Sequence, residues 1–335
     1  MIRIRSLSIK NFRGVREGRI DGFTDVNVLV GRNNSGKTTV VEAITRAAMG
    51  SGLQNDLFGR PVEQFWQQAR AGVTPGDAQS LLWYRQDTSN DVDIVGVVDD
   101  DDGARKSEEL VYRMNMSPQG AGMTAHPRLN QSVQGSTALE AAKRQLFCAG
   151  ITVFRPADAF NSGIEENCWR HLLSDRRDRL LTETLNEVFG LDAESFQLLP
   201  ANHLMVLFQR YGLPLDLQGD GTRAAMRTLM TLAMLKSTLL MLEEPECHQH
   251  PGSLERFASA LCRLAKARAV QLIVSTHSAE CVRSFLKAAS AAHSDAAVFH
   301  LTLDDGKQDA RRLDPEAVEA LTDTGVDVRF LDLYA

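Results

Sequence analysis

Two short stretches hold the residues whose types and spacing could do chemistry. GRNNSGKT, Gly31 to Thr38, satisfies G-x-x-x-x-G-K-[ST] at every fixed position. Its glycines let the backbone wrap until successive N–H groups face phosphate oxygens. A helix opening near Lys37 adds its positive dipole end. Lys37 can then reach β- and γ-phosphates, and the Thr38 hydroxyl is placed to ligate Mg²⁺. The candidate nucleotide-binding residues here are Gly31, Asn33, Asn34, Ser35, Gly36, Lys37, Thr38 and Thr39. The second stretch is LLMLEEPE, an apolar run ending in Glu243 and Glu244. Carboxylates at the C-terminal end of a buried strand stand where open α/β sheets bind ligands. Neighbouring strand residues point opposite ways, so the two carboxylates are expected to do different jobs. Glu243 is expected in the Mg²⁺ shell through water, and Glu244 is expected to polarise the attacking water. A third group follows the next apolar run, VQLIVS, in Thr276-His277-Ser278. His277 at that strand end could bond the γ-phosphate or the attacking water.

These groups need a scaffold of strands and helices, and the patterning supplies one. IRIRSLSIK (2–10) alternates like a half-buried strand, NFRG reads as a turn, and a short strand is expected around Gly18–Ile20. VNVLV (26–30) is a continuous apolar run, as a strand covered on both faces should be. The run VVEAITRAAM after the phosphate loop has helical spacing. Strand, glycine loop and helix thus follow in the order that phosphate binding requires. Residues 51–90 read as mixed and largely helical; 92–98 and 109–114 read as strands. Residues 115–138, rich in Gly, Ser, Gln and Pro, read as the most flexible segment. A short strand is expected at 151–154, one charged helix over 164–189, and strands at 239–244, 270–275 and 297–303. Helices are expected over 252–268, after 276 and at 315–323.

The bulk numbers set limits. With 335 residues, 43% hydrophobic and 24% charged, the chain can bury one large α/β core or two modest ones. No apolar run is long enough to span a bilayer and the N-terminus alternates, so a cytoplasmic protein away from the membrane is expected. The five cysteines contain no CxxC pair, which favours reduced, structural thiols. A net charge of −6 argues against a surface that is basic overall, so DNA contact would need a local patch.

Together IRSLSIKNFRG, GRNNSGKTT, EEPECHQHP and STHS resemble the ABC-type ATPases of the SMC/RecF/OLD group. The match covers residues 1–100 and 200–335, and the middle matches poorly. Glu243 in the metal position looks most like the OLD-type ATPases and their relatives in bacterial antiphage systems. The resemblance implies an α/β P-loop NTPase of ABC-ATPase head type, with a mixed central sheet, an antiparallel β subdomain and an inserted helical lobe. It divides the chain into 1–100, with the phosphate loop and antiparallel strands; 101–200, the insertion; and 201–335, the carboxylate and histidine segment. It implies ATP and Mg²⁺ as cofactors, head-to-tail homodimers or higher oligomers sandwiching ATP, a separate effector protein and possible DNA contact. On the match Glu243 takes the metal position, Glu244 the catalytic carboxylate and His277 the switch histidine, and Pro251 falls in a loop crossing the dimer interface.

The resemblance also places LQGDGTRAAMRTLM (217–230), a Gly-rich helix start just ahead of the carboxylate strand. The group carries its signature motif there, contacting the γ-phosphate held by the other subunit. Gly219, Gly221 and Thr222 are the candidates, since their backbone N–H groups and a helix N-terminus favour an anion. Met226, Leu229, Met230, Ala233 and Met234 form the expected buried stripe. The usual serine is replaced by Gln218 or Gly219, and Asp220 should face a cap or a cation. Gln86 is the candidate glutamine-loop residue.

Rival assignments are weaker. Cys247, His248 and His250 lie within four residues of one another and could hardly close a tetrahedral zinc site alone. The DDDD run at 99–102 reads as a solvated turn, and Arg170, Arg176, Arg177 and Arg179 as a solvated helix face with a lesser reading as a recruitment patch. Arg13 in NFRG is a minor candidate for a phosphate contact. The segment after His277 is too short for a TOPRIM nuclease domain, and no sustained heptads announce SMC-type arms. The reading is therefore an ATPase that controls a separate effector. A RecF-like DNA-repair ATPase is the first alternative and a transporter nucleotide-binding subunit the second; the absence of NKxD disfavours a small GTPase.

Overall fold

The computed structural model describes residues 1–49, 80–100, 107–116, 123–125, 138–161, 163–174, 176–199 and 203–334, with positions 55, 57, 59, 61, 62, 65 and 66. The helix expected within 51–79, the far half of the DDDD run and most of the flexible segment lie outside these residues.

The opening alternation makes β1 (Ile2–Phe12), which pairs antiparallel with β2 (Val15–Asp21) across the NFRG turn. The fully apolar run is β3 (Val26–Val30), buried at every position. On β1's other side lie β4 (Val92–Asp100) and β5 (Glu108–Met116), both antiparallel, with a short β6 (Met123–Ala125) at the edge. β7 (Thr152–Phe154), β11 (Leu239–Glu243), β12 (Gln271–Ser275) and β13 (Ala296–Asp304) join β3 in a parallel block. β14 (Lys307–Leu313) returns antiparallel to β13 and meets β2 in parallel. All belong to one sheet, ordered β6-β5-β4-β1-β2-β14-β13-β3-β12-β11-β7. β8 (Ser195–Leu199), β9 (His203–Leu207) and β10 (Gly212–Pro214) form a separate three-stranded meander.

Strand alternation divides the core into two layers. From β3, Val28 and Val30 face one layer and Leu29 the other; from β11, Leu240 and Leu242 face the first and Leu239 and Met241 the second. The helix after the phosphate loop, α1 (Lys37–Met49), packs Val40, Val41, Ile44 and Ala47 into the second layer with the antiparallel strands. The insertion contributes α2 (Ala138–Ala149), α3 (Gly163–Ser174) and α4 (Asp178–Phe189). The first layer is covered by α5 (Asp220–Met234), α6 (Pro251–Arg268) and α7 (Ala279–Ala291). α8 (Pro315–Asp323) follows, with Pro at its start, where the missing N–H costs nothing.

Several expectations are corrected. The helical stretch 164–189 is two helices: Arg176 takes a φ of 55° and the Arg177 amide bonds back to the Leu172 carbonyl before the second begins. Arg177 then donates to the Ala233 carbonyl, tying one member of that arginine cluster into the fold, while Arg179 pairs with Glu183 on the exposed face of its helix. The Gly-rich helix start is α5's first turn: the helix begins at Asp220, with Gly219 as its N-cap. Its stripe buries Met226, Leu229, Met230 and Ala233 fully, and Met234 packs partly buried beside them. The carboxylate strand stops at Glu243. Patterning gave no sign of β14 or of the β8–β10 meander. Among the described residues no helix is long and apolar enough to cross a membrane.

Candidate functional site

The parallel order β13-β3-β12-β11-β7 sets five strand ends side by side, and the chemistry-bearing residues gather there. β3 leads into Gly31 at φ 141°, the loop turns through Asn34 at φ 64° and Gly36 at φ 92°, and α1 opens at Lys37. Only glycine adopts the first of these freely. The Lys37 side chain folds back over its own loop, donating to the carbonyls of Gly31 (2.8 Å) and Arg32 (2.9 Å). Burial pulls its ammonium down to about 8, and the Glu244 carboxylate opposes that fall.

Glu243 and Glu244 both face this loop, which corrects the expectation that they diverge. Strand alternation ends at Glu243; Glu244 takes a left-handed φ of 46°, and its amide bonds the Ser275 carbonyl at 2.8 Å. The turn swings the second carboxylate back to the first one's side. His277, after β12, sets Nε2 3.9 Å from Glu244 Oε1. Burial, then the Lys37 charge, hold its imidazole below the ordinary value. Glu246 accepts from the Thr276 hydroxyl and from the His277 amide, which splints the turn carrying the histidine to the EEPE turn.

These groups line one cleft of about 1040 Å³, walled by residues 33–39, Glu243, Glu244, Ser275 and His277. Six of the eight phosphate-loop positions from Gly31 to Thr38, together with Thr39, are in its wall; Gly31 sits beneath, its backbone against the Leu301 carbonyl. Thr38 and Glu243 offer a hydroxyl and a carboxylate to the same space, the hard oxygen donors that Mg²⁺ takes.

Gly219, Gly221 and Thr222 are not part of this wall. Gly219 is exposed, and Asp220 pairs with Arg223 at 3.1 Å, the cation expected for it. Gly221 presses on the EEPE turn: a Cβ there would lie 2.6 Å from the His248 carbonyl, and Gln249 Nε2 donates to the Gly221 carbonyl at 2.9 Å. Behind them, Arg227 is fully buried, paired with Glu165 and Asp216 and donating to the Ala159 carbonyl. Gln86 lies in an exposed turn and does not line the cleft. Arg13 does, but its guanidinium is held by the buried Glu42.

Arg155 is a wall residue that patterning missed. β7 pairs with β11 so that Phe154 stands opposite Leu242, which sets Arg155 level with Glu243. Its guanidinium stacks 3.9 Å from the Phe65 ring centre. The strand ITVF was legible, but its place beside the carboxylate strand was not, and that place is what brings Arg155 to the cleft. The zinc reading gains nothing: His250 caps α6, His248 meets Phe160 edge-on and Cys247 donates to Glu244. Among the described residues no cluster of three or more metal-binding side chains occurs.

Fold and cleft define the class by architecture: an SMC head-like P-loop ATPase fold, α/β with a mixed sheet carrying an antiparallel part. The family model described as AAA ATPase domain matches residues 2–58 and 173–282. An ATP/GTP phosphatase of Helicobacter pylori is 31% identical over 96 residues, 29% of this chain and 25% of that protein. The DNA replication and repair protein RecF of Shewanella pealeana is 29% identical over 90 residues, 26% of this chain and 25% of that one. The matched stretch therefore spans about a quarter of each of these relatives. The Smc head domain of Pyrococcus furiosus, solved bound to the C-terminal domain of ScpA, superposes with a TM-score of 0.56 at 14% identity. That overlap covers 97% of this chain and 99% of the Smc head, and it is a likeness of fold.

Proposed function

We propose that the chain binds ATP with Mg²⁺ and hydrolyses it. The observation that carries the reading is the meeting of Lys37, Thr38, both carboxylates and His277 in one cleft. The amides of residues 33–38 and the Lys37 ammonium bind the phosphates. Thr38 and Glu243 hold Mg²⁺, which when bound offsets charge developing on the phosphate oxygens. Glu244 accepts the proton of the attacking water, and His277, largely neutral, holds that water or the γ-phosphate by a hydrogen bond. Glu246 keeps the two in register.

The signature stretch lies outside the cleft of its own chain, with Gly219 exposed at a helix N-terminus. It therefore serves a second copy: ATP joins two heads as a homodimer, each supplying Gly219, Gly221 and Thr222 to the other's γ-phosphate. With the usual serine absent, that contact rests on backbone N–H groups and Thr222. The dimer's opening and closing control a separate effector protein, in the OLD-like manner that the EEPE motif suggests, with antiphage defence as the setting. The Smc head bound to ScpA supports the general idea of a head that carries a partner. Direct DNA binding has less support, because Arg3, Arg5, Arg16 and Arg19 on the antiparallel strands are all paired with aspartates.

The test is Glu244→Gln with Mg²⁺ and ATP. It should bind nucleotide, fail to turn over and accumulate as a dimer by light scattering. Unchanged turnover would remove Glu244 from its role.

A further inference from the structure

The phosphate loop has a support from behind that its motif does not announce. Gln308, the second residue of β14, is 2% exposed, although nothing in the sequence of that strand suggests a buried polar position. β14 runs parallel to β2 with Gln308 opposite Gly18, and antiparallel to β13 with Gln308 opposite Leu303. The lack of a side chain on Gly18 makes room for it: a Cβ there would lie 2.8 Å from Gln308 Cβ. The amide reaches under the loop, and Nε2 donates to the Ser35 carbonyl at 3.2 Å. It also fills the space beneath Gly36, where a Cβ would lie 2.1 Å from Nε2. Gln308 Oε1 is buried with no hydrogen-bond partner.

Leaving a buried acceptor unpaired is costly, so the donating end must do something that an apolar side chain could not. The Ser35–Gly36 peptide is trans, like every described peptide bond. In a trans peptide C=O and N–H point in opposite directions. Holding the Ser35 carbonyl down behind the loop turns the Gly36 N–H up into the cleft. Gly36, at φ 92°, has the freedom to flip that peptide, and an unheld carbonyl would present its negative end to a phosphate.

We propose that Gln308 is a positioning residue for the nucleotide site: its amide fixes the Ser35–Gly36 peptide with the N–H facing the phosphates. The inference rests on the ATP reading of the cleft. The glycine before Lys37 then answers two demands at once, a wrapped loop on one side and the Gln308 amide on the other.

The test is titration with fluorescent mant-ATP and Mg²⁺, with a thermal melt of every variant. Gln308→Leu keeps the bulk and removes the donor; it should weaken binding about tenfold, the worth of one hydrogen bond, with KM raised and kcat little changed. Gln308→Glu can donate to the Ser35 carbonyl only when protonated. Measured against the wild type at the same pH, its deficit should be large near pH 8 and shrink towards pH 6. The ratio is needed because burial pulls the Lys37 ammonium itself down to about 8. The other charged groups near Gln308 are Lys10, Glu17, Arg19, Lys307 and Asp309, which line the outer groove and are common to all variants. If Gln308→Leu fails to fold, the pH trend of Gln308→Glu decides. A folded Gln308→Leu that binds within about twofold of the wild type, or a Gln308→Glu deficit independent of pH, overturns the proposal. A wild type that binds no mant-ATP sinks the ATP reading and this inference together, whereas wild-type binding matched by Gln308→Leu sinks this one alone.

Discussion

The phosphate loop and the start of α5 are both glycine-bearing helix N-termini, yet their surroundings differ. The loop closes on itself and on its own chain: Lys37 bonds two of its carbonyls, the Leu301 carbonyl lies under Gly31, and Glu244 and His277 face it. The start of α5 has its order behind it, in the buried Arg227 network and in the packing of Gly221 on the His248 carbonyl, while Gly219 stays exposed. An anion site completed within one chain needs its acids and bases beside it. On the proposed dimer, the start of α5 meets a ligand held by another molecule and needs only a fixed backbone and a rigid mount.

Four outcomes would break or sharpen that contrast. Lys37→Ala should weaken ATP binding most, by roughly a thousandfold, since it removes charge-assisted hydrogen bonds to phosphate; isothermal titration reads this directly. Arg227→Leu should cost about 3 kcal/mol or more in the melting curve, because it strands a buried Glu165. Below its melting point it should still bind nucleotide, and a variant that folds but cannot bind would mean the two regions are not separable. Mixing Lys37→Ala with Gly219→Asp subunits, where the added side chain meets open space, should restore turnover above either parent, and a flat result would argue that each chain works alone. The smallest effect is in pH. The Lys37 ammonium is held down to about 8, so its charge, and with it ATP affinity, should fall as pH rises past that value. The loss approaches about tenfold per unit at most, and affinity unchanged between pH 7 and 9 would show that Lys37 does not carry the contact.

What was legible in the sequence is what depends on local spacing. GRNNSGKTT, EEPE and STHS have fixed intervals, and the structure sets their side chains around one cleft. The short helix expected at 315–323 is present with those bounds. What stayed hidden depends on residues far apart in the chain meeting. Arg155 reaches the cleft because β7 pairs with β11, and Gln308 reaches the loop because β14 folds back beside β2. No periodicity encodes either pairing. Glu244 misled for another reason: period-two alternation fails as soon as one residue takes a left-handed φ, and an EEP sequence gives no warning of it.

The resting bonds of Lys37 have a consequence for selectivity. An ammonium has three donors, and all three have acceptors in the loop: the Gly31 and Arg32 carbonyls and, at a longer 3.4 Å, the Ser35 hydroxyl. An arriving anion must therefore compete with acceptors in place, so its binding is an exchange rather than a simple gain. A single phosphate or sulfate offers little to tip that exchange, while a polyphosphate that engages the loop amides at several points does. On the proposed ATP reading, the lysine's own tether thus sets a threshold that a polyphosphate passes more readily than a single phosphate.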